Sequence, residues 1–233
     1  MTPAQLCRMP ASGSAIALFF LAGVAGTPER VSFPTRDGGL IYADMYGKGT
    51  RGVVLAHGGR FNKESWQRQA RALADAGFRV LAIDFRGYGQ SRGPGQSLPL
   101  GAPLHLDVLA AVRYLRQNGA KTVSVVGGSM GGGAAADASV EAEPGEIDRL
   151  VLLGSTAGRE PEKVKGRKLF ILSRDDLGPG DEPRLPRIRA QYEKATDPKE
   201  LVVLDGSAHA QFIFDTAQGE RLMREILRFL SAP

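Results

Sequence analysis

The sequence predicts an α/β protein with a mostly parallel sheet that is covered by helices on both faces. Short apolar runs alternate along the chain with longer segments of helical periodicity, an order typical of βαβ units. The apolar runs are continuous, as expected for strands that are buried on both faces. The chain has 233 residues, a length that favours one domain, and we place that domain at residues 29–233.

The first predicted element is a hairpin at one edge of the sheet. Its extended segments, residues 30–34 and 40–46, flank the polar turn Arg36-Asp37-Gly38-Gly39. The remaining apolar runs complete an eight-stranded sheet, at residues 52–56, 79–83, 122–126, 149–153, 168–172 and 200–204. Helical periodicity predicts helices at residues 64–76, 102–118, 131–140, 184–195 and 217–230.

Residues 1–28 differ from the rest of the chain. An apolar run over residues 15–25 follows Arg8 and ends in Gly23-Val24-Ala25, small residues of the kind that precede a signal-peptidase cut. The run is too short for a stable membrane span. We therefore expect a signal peptide and export to the periplasm or the medium. The alternatives are a disordered or amphipathic extension, or a start codon assigned too early, with a cytoplasmic location.

The composition excludes several classes of function. The net charge of +5 is scattered and not interleaved with aromatic residues, so no nucleic-acid partner is expected. Cys7 is the only cysteine, which rules out an internal disulfide, a thiolate metal site and a cysteine nucleophile. We expect no metal and no cofactor. The sequence leaves the oligomeric state open.

A serine lies between a predicted strand and a predicted helix. The segment Gly127-Gly128-Ser129-Met130-Gly131 has the pattern G-x-S-x-G, and an alanine-rich helix follows it. A turn this tight requires small flanking residues and holds the serine hydroxyl above the sheet, at the helix N-terminus. Ser129 is therefore the candidate nucleophile. The alternative interpretation is a serine that only caps the helix.

A serine nucleophile needs a general base, and the chain has three histidines. His105 falls within a predicted helix, and His57 precedes two glycines in a turn that it is expected to shape. His209 follows the last predicted strand, on a loop where open parallel sheets place their ligand sites. We therefore assign His209 as the base.

The acid that orients the base should follow another strand, between Ser129 and His209. Asp175 and Asp176 come directly after the apolar run at residues 168–172. Either carboxylate could hold the imidazole tautomer and stabilise its positive charge. The residues alone do not choose between these neighbours.

Backbone N–H groups are expected to bind the oxyanion that forms during acyl transfer. Met130, directly after the nucleophile, is expected to supply one. Gly59 is expected to supply the second, with Arg60 as the alternative, because glycines after the third strand allow close approach of the backbone. Arg60 and Phe61 are expected to line the substrate pocket.

With these motifs the chain resembles the α/β-hydrolase superfamily over residues 29–230. It is most similar to compact bacterial serine hydrolases of the lysophospholipase and dienelactone-hydrolase-like groups. The matching motifs are the His57-Gly58-Gly59 turn, the Asp84–Ser91 loop, the Gly127–Gly131 turn, the acid loop and His209, in the family's order of Ser, Asp and His.

The resemblance implies the three-layer fold of that superfamily and no catalytic role for residues 84–91. The family acid is usually the fourth residue of a turn that begins with glycine. Ser173 stands at that first position here, so the resemblance favours Asp176 over Asp175.

Many members of the superfamily carry a helical lid after the sixth strand. Here the connection from Gly154 to Lys168 is short and charged, so no substantial lid is expected. We expect an open, shallow site for small or surface-presented esters. The leading interpretation is a serine hydrolase that cleaves small-molecule carboxylic esters, or thioesters, through an acyl-enzyme. The alternatives are a serine peptidase or amidase on the same fold, and a hydrolase-fold binding protein without catalysis.

Overall fold

The computed structural model describes residues 27–94 and 101–233. Its eight strands are β1 (Glu29–Pro34), β2 (Leu40–Tyr46), β3 (Arg51–Ala56), β4 (Phe78–Ile83), β5 (Thr122–Gly128), β6 (Arg149–Leu153), β7 (Arg167–Ser173) and β8 (Lys199–Leu204). Its α-helices are α1 (Gln67–Asp75), α2 (Leu104–Gln117), α3 (Met130–Glu141), α4 (Arg184–Lys194) and α5 (Gly219–Ser231).

All eight strands form one sheet, in the order β1-β2-β4-β3-β5-β6-β7-β8. The hairpin β1–β2 is antiparallel and lies at the edge, and β2 is antiparallel to β4. Every other pairing in the sheet is parallel. The predicted fold class is therefore confirmed, with strand ends shifted by at most two residues. The largest shift is in β5, where Gly127 and Gly128 continue to pair with β6.

The helices form one layer on each face of the sheet. Alternate residues of one strand face opposite layers, as the pleat requires. Val54 of β3 packs with the core beneath α2, α3 and α4, whereas Val53 and Leu55 pack with the core beneath α1 and α5. Both cores contain strand residues that are fully buried, as the continuous apolar runs indicated.

The structure contains short 3₁₀ helices that differ from the predicted elements. The predicted helix at residues 64–76 begins as a 3₁₀ helix, Lys63–Trp66, because the Asn62 side chain accepts the Ser65 N–H in a tight turn. A second 3₁₀ helix, Ala210–Asp215, follows His209 directly. Between β6 and β7 the described chain holds only the 3₁₀ helix Pro161–Lys163, so the expected absence of a substantial lid is confirmed.

The predicted signal peptide and Cys7 lie outside the described residues. Of the helices that are described, none is both long enough and apolar enough to cross a membrane.

The loop after β4 is tied to two other elements through Arg86. Its guanidinium donates to Asp107 of α2 at 2.6 and 2.9 Å, and to Asp37 of the β1–β2 turn at 2.7 and 3.1 Å. Arg86 and Asp107 are almost completely buried. The hydrogen bonds from Arg86 hold the pKa of Asp37 well below its usual range. The loop that the resemblance marked as structural thus joins the hairpin to α2.

Replacing Arg86 with alanine is expected to lower the free energy of unfolding by about 3–5 kcal/mol, because it leaves the Asp107 carboxylate buried without its partner. Urea unfolding followed by circular dichroism measures the change. Arg224→Ala is the matched control, since Arg224 lies on α5 and its ion pair with Glu220, at 3.7 Å, is exposed to solvent. This substitution should lower the free energy of unfolding by less than about 0.5 kcal/mol. Equal losses in the two variants would contradict the structural role of Arg86.

Candidate active site

Ser129 occupies the turn that joins β5 to α3. Its backbone has φ 50° and ψ −113°, a left-handed conformation that is strained for a residue with a side chain. The Ser129 N–H donates to the Leu153 carbonyl at 2.8 Å, which anchors the turn to β6. Strain that is fixed in this way keeps the hydroxyl above the carboxyl end of the sheet.

The glycines that flank Ser129 are required by close packing. A Cβ at Gly127 would lie 2.4 Å from the Gly131 carbonyl oxygen, and a Cβ at Gly131 would lie 2.3 Å from the Ala56 carbonyl oxygen. Both distances are far inside van der Waals contact. The G-x-S-x-G pattern therefore lets α3 start directly against the end of β3.

Ser129, His209 and Asp176 form a hydrogen-bonded chain across three loops. The Ser129 Oγ lies 2.8 Å from His209 Nε2, and His209 Nδ1 lies 2.7 Å from Asp176 Oδ2. Since a carboxylate only accepts, we assign the ring proton to Nδ1, which leaves Nε2 to accept the serine proton. The structure thus brings together the candidate nucleophile, the candidate base and one of the two candidate acids.

Asp176 and Asp175 have different surroundings. The Asp176 side chain is 1% exposed, and its second oxygen, Oδ1, lies 3.3 Å from Arg184 Nε at the start of α4. Asp175 is exposed, and its N–H donates to the Gly206 carbonyl. Ser173, the residue that departs from the family's glycine, donates its hydroxyl to the Ala208 carbonyl at 2.7 Å. That bond ties the acid loop to the loop that carries His209.

The other two histidines lie elsewhere. His57 is fully buried, accepts the Phe85 N–H at Nε2 and donates from Nδ1 to the Gly58 carbonyl at 2.8 Å. Burial lowers its pKa, which favours the neutral ring that this arrangement requires. His105 lies 3.2 Å from Glu141 at the end of α3. His57 shapes the turn after β3, as the sequence suggested.

The turn after β3 is held next to the Ser129 turn. The Gly58 N–H donates to the Gln211 Oε1 at 2.7 Å, and the Tyr88 hydroxyl donates to the Gly59 carbonyl at 3.0 Å. A Cβ at Gly59 would lie 3.8 Å from the Met130 sulfur, so these two residues are neighbours. Within residues 27–94 and 101–233, no hydrogen-bond partner occupies the N–H of Gly59 or of Met130.

The predicted pocket residues, Arg60 and Phe61, directly follow the His57-Gly58-Gly59 turn. Arg60 is exposed. The Phe61 ring packs against the Phe212 ring, with centroids 4.8 Å apart, and Phe212 is 40% exposed. The Phe212 N–H donates to the His209 carbonyl at 3.0 Å, so the aromatic pair lies beside the His209 backbone.

Sequence reasoning missed three supporting residues. Gln211 holds Gly58 and also donates to Ser65 at 2.9 Å, Tyr88 holds Gly59, and Arg184 lies against Asp176. Gln211 is two residues from the predicted base, which was the only available signal. No pattern along the chain links Tyr88 or Arg184 to the site.

The described part of the chain contains no group of three or more His, Cys, Asp or Glu side chains that could hold a metal ion.

Comparison with known proteins places the chain among the hydrolases of this fold. A family model described as the α/β hydrolase fold matches residues 52–175. An AB hydrolase superfamily protein of Bacillus subtilis is 31% identical over 117 residues, which are 50% of this chain and 42% of that protein. A non-heme chloroperoxidase of Kitasatospora aureofaciens is 35% identical over 123 residues, 52% of this chain and 42% of that protein.

The matched segments therefore span less than half the length of these curated relatives. Solved structures match over a larger part of the chain. An esterase of Pyrococcus furiosus superposes with a TM-score of 0.73 at 21% identity, covering 87% of this chain and 91% of the esterase. An esterase of Exiguobacterium antarcticum gives a TM-score of 0.71 at 16% identity, covering 87% and 99%. At these identities the superpositions establish a common fold.

Proposed function

The chain belongs to the α/β-hydrolase fold family, and from this premise we propose that it hydrolyses carboxylic esters, or thioesters, of small molecules through an acyl-enzyme on Ser129. The observation that carries the proposal is the hydrogen-bonded chain from Ser129 through His209 to Asp176. A binding protein has no need for three hydrogen-bonded side chains of this kind at the carboxyl ends of three strands. The esterases that share the fold support the same reaction class.

In the first step the Ser129 Oγ attacks the carbonyl carbon of the ester while His209 Nε2 takes the serine proton. The bond from the carbonyl carbon to the alcohol oxygen then breaks, and His209 returns the proton to that oxygen. The acyl group stays on Ser129. A water molecule attacks it by the same route and releases the acid, which restores Ser129 and neutral His209.

Asp176 is proposed to hold His209 in the reactive tautomer and to stabilise the imidazolium that forms in each step. Its burial keeps water from competing for the His209 Nδ1 proton. Arg184 and the Ser173–Ala208 hydrogen bond support the positions of the acid and of the histidine loop. The geometry favours Asp176 as the acid, the residue that the family resemblance also favoured.

The N–H groups of Met130 and Gly59 are proposed to bind the oxyanion. Met130 is the first residue of α3, where N–H groups have no partner within the helix and the helix dipole favours negative charge. Gly59 is next to Met130, and Gln211 and Tyr88 fix its turn before substrate arrives. Donors that are fixed in advance lower the barrier by about 3 kcal/mol each in enzymes of this type. Arg60, which is exposed, stays the alternative to Gly59.

A substrate panel tests the reaction class. We expect release of p-nitrophenol from p-nitrophenyl esters, and release of thiol from acyl thioesters, both followed by absorbance. The matched p-nitroanilides should react much more slowly, because an amine leaving group must be protonated by His209 before it departs, whereas p-nitrophenolate need not be. Equal kcat/KM for an anilide and its matched ester would favour the peptidase or amidase alternative.

Export is proposed from the sequence of residues 1–25 alone. Expression of the full chain in a bacterial host, followed by fractionation and N-terminal sequencing, tests it. Mature protein in the periplasm or medium that begins near residue 26 is expected. Intact protein confined to the cytoplasm would contradict export.

A further inference from the structure

A groove of about 520 Å³ follows one face of α3. The helix lines it with residues at spacings of three and four, namely Met130, Gly133, Ala134, Asp137, Val140 and Glu141. Residues 101–105, which include the first turn of α2, form the facing wall, and residues 159–160 border the groove. Because a helix rises 1.5 Å per residue, the lined face extends about 16 Å from the residue after Ser129.

The two ends of the groove differ in chemistry. The end next to Ser129 is lined by Met130, Gly133 and Ala134, which carry no charge. The far end carries Asp137 and Glu141, and Glu141 lies 3.2 Å from His105 Nε2. An aliphatic chain could therefore be desolvated near the nucleophile while its far end stays among polar groups and water.

The direction of proton transfer decides which half of an ester faces the groove. His209 must donate its proton to the alcohol oxygen, so the alcohol half lies on the side of His209. The Phe61–Phe212 pair lies beside His209, whose backbone carbonyl accepts the Phe212 N–H. The acyl half must leave the carbonyl carbon in another direction, and the groove begins at Met130, directly after Ser129.

We propose that the α3 groove binds the acyl half of the substrate, and that Gly133 sets the acyl size which the enzyme accepts. The substrate class is then an ester with an extended aliphatic acyl chain of up to about 16 Å, the length of the lined helix face. This inference rests on the proposed ester hydrolysis.

Gly133 is singled out by the space in front of it. Among residues 27–94 and 101–233, a Cβ at Gly133 would meet no atom within 4 Å, whereas a Cβ at Gly132 would lie 2.5 Å from the Ser155 Cβ. Glycine in the interior of a helix is less stable than alanine. Packing therefore does not require glycine at position 133, and its missing side chain leaves the groove open beside the nucleophile.

The test is the ratio of kcat/KM for p-nitrophenyl octanoate to that for p-nitrophenyl acetate. In the wild-type protein kcat/KM should rise with the length of the acyl chain, by up to about fourfold for each methylene that the groove desolvates. Gly133→Leu fills the groove and should lower the ratio at least tenfold. Gly133→Ala should lower it by a smaller factor. Glu220→Leu adds the same side chain on α5, on the other face of the sheet, and should leave the ratio at the wild-type value.

Each outcome of these measurements supports or overturns the groove assignment. A wild-type ratio near one, or an unchanged ratio in Gly133→Leu, overturns the groove assignment and leaves ester hydrolysis standing. No hydrolysis of any ester by the wild-type protein overturns both proposals. Circular dichroism verifies the fold of each variant, and if Gly133→Leu is unfolded, a fall in the ratio for Gly133→Ala supports the assignment and an unchanged ratio overturns it.

Discussion

Replacing Ser129 with alanine is expected to lower kcat for p-nitrophenyl ester hydrolysis by about 10⁴-fold or more, because no other group can form the acyl-enzyme. The fold should persist, since the Ser129 N–H bond to Leu153 does not involve the side chain. Steady-state kinetics on purified wild-type and variant protein measure the loss, and circular dichroism verifies the fold.

Ser124→Ala is a suitable control, because Ser124 lies on β5 at the opposite end of the same strand. It should keep kcat close to the wild-type value. Substantial esterase activity in folded Ser129→Ala, clearly above that of a buffer blank, would mean that another residue is the nucleophile.

Asp176→Asn is expected to lower kcat by about 10⁴-fold, the size of effect seen when the acid of a Ser-His-Asp triad becomes an amide. The amide can donate to His209 Nδ1, which stabilises the tautomer whose Nε2 already carries a proton. That Nε2 cannot accept the proton of Ser129. The measurement is kcat at saturating ester, since the Asp176 side chain is buried and acts through its hydrogen bond to His209.

Asp175→Asn is the matched control, with the same chemical change at the neighbouring residue. Asp175 is exposed, and its backbone N–H donates to the Gly206 carbonyl without involving the side chain. Its kcat should stay within about twofold of wild type, in line with surface substitutions elsewhere. A larger fall for Asp175→Asn than for Asp176→Asn would reverse the assignment of the acid.

The parts of this molecule that follow local rules were predictable. Buried parallel strands require continuous apolar runs, so the sheet could be placed to within two residues. The Ser129 turn is equally local, because the glycines, the strand and the helix are adjacent in sequence. His209 was accessible by elimination, since the chain has three histidines and one of them follows the last strand.

Features that depend on contacts between distant loops were not predictable. The choice between Asp175 and Asp176 depends on which carboxylate the loop turns inward, and the residues of that loop permit either. The Gly58 N–H bonds to Gln211, a residue 153 positions away. The α3 groove likewise exists because the start of α2 lies opposite α3, and no periodicity within either helix encodes that distance.

The central claim is that Ser129 is an activated nucleophile, and covalent labelling tests it most directly. A fluorophosphonate forms a stable adduct only with a serine that a general base activates. Peptide mass spectrometry of the labelled wild-type protein should place one adduct on Ser129. Labelling should be lost in the folded Ser129→Ala variant and strongly slowed in Asp176→Asn. Folded wild-type protein without an adduct, or with its adduct on another serine, would contradict the assignment.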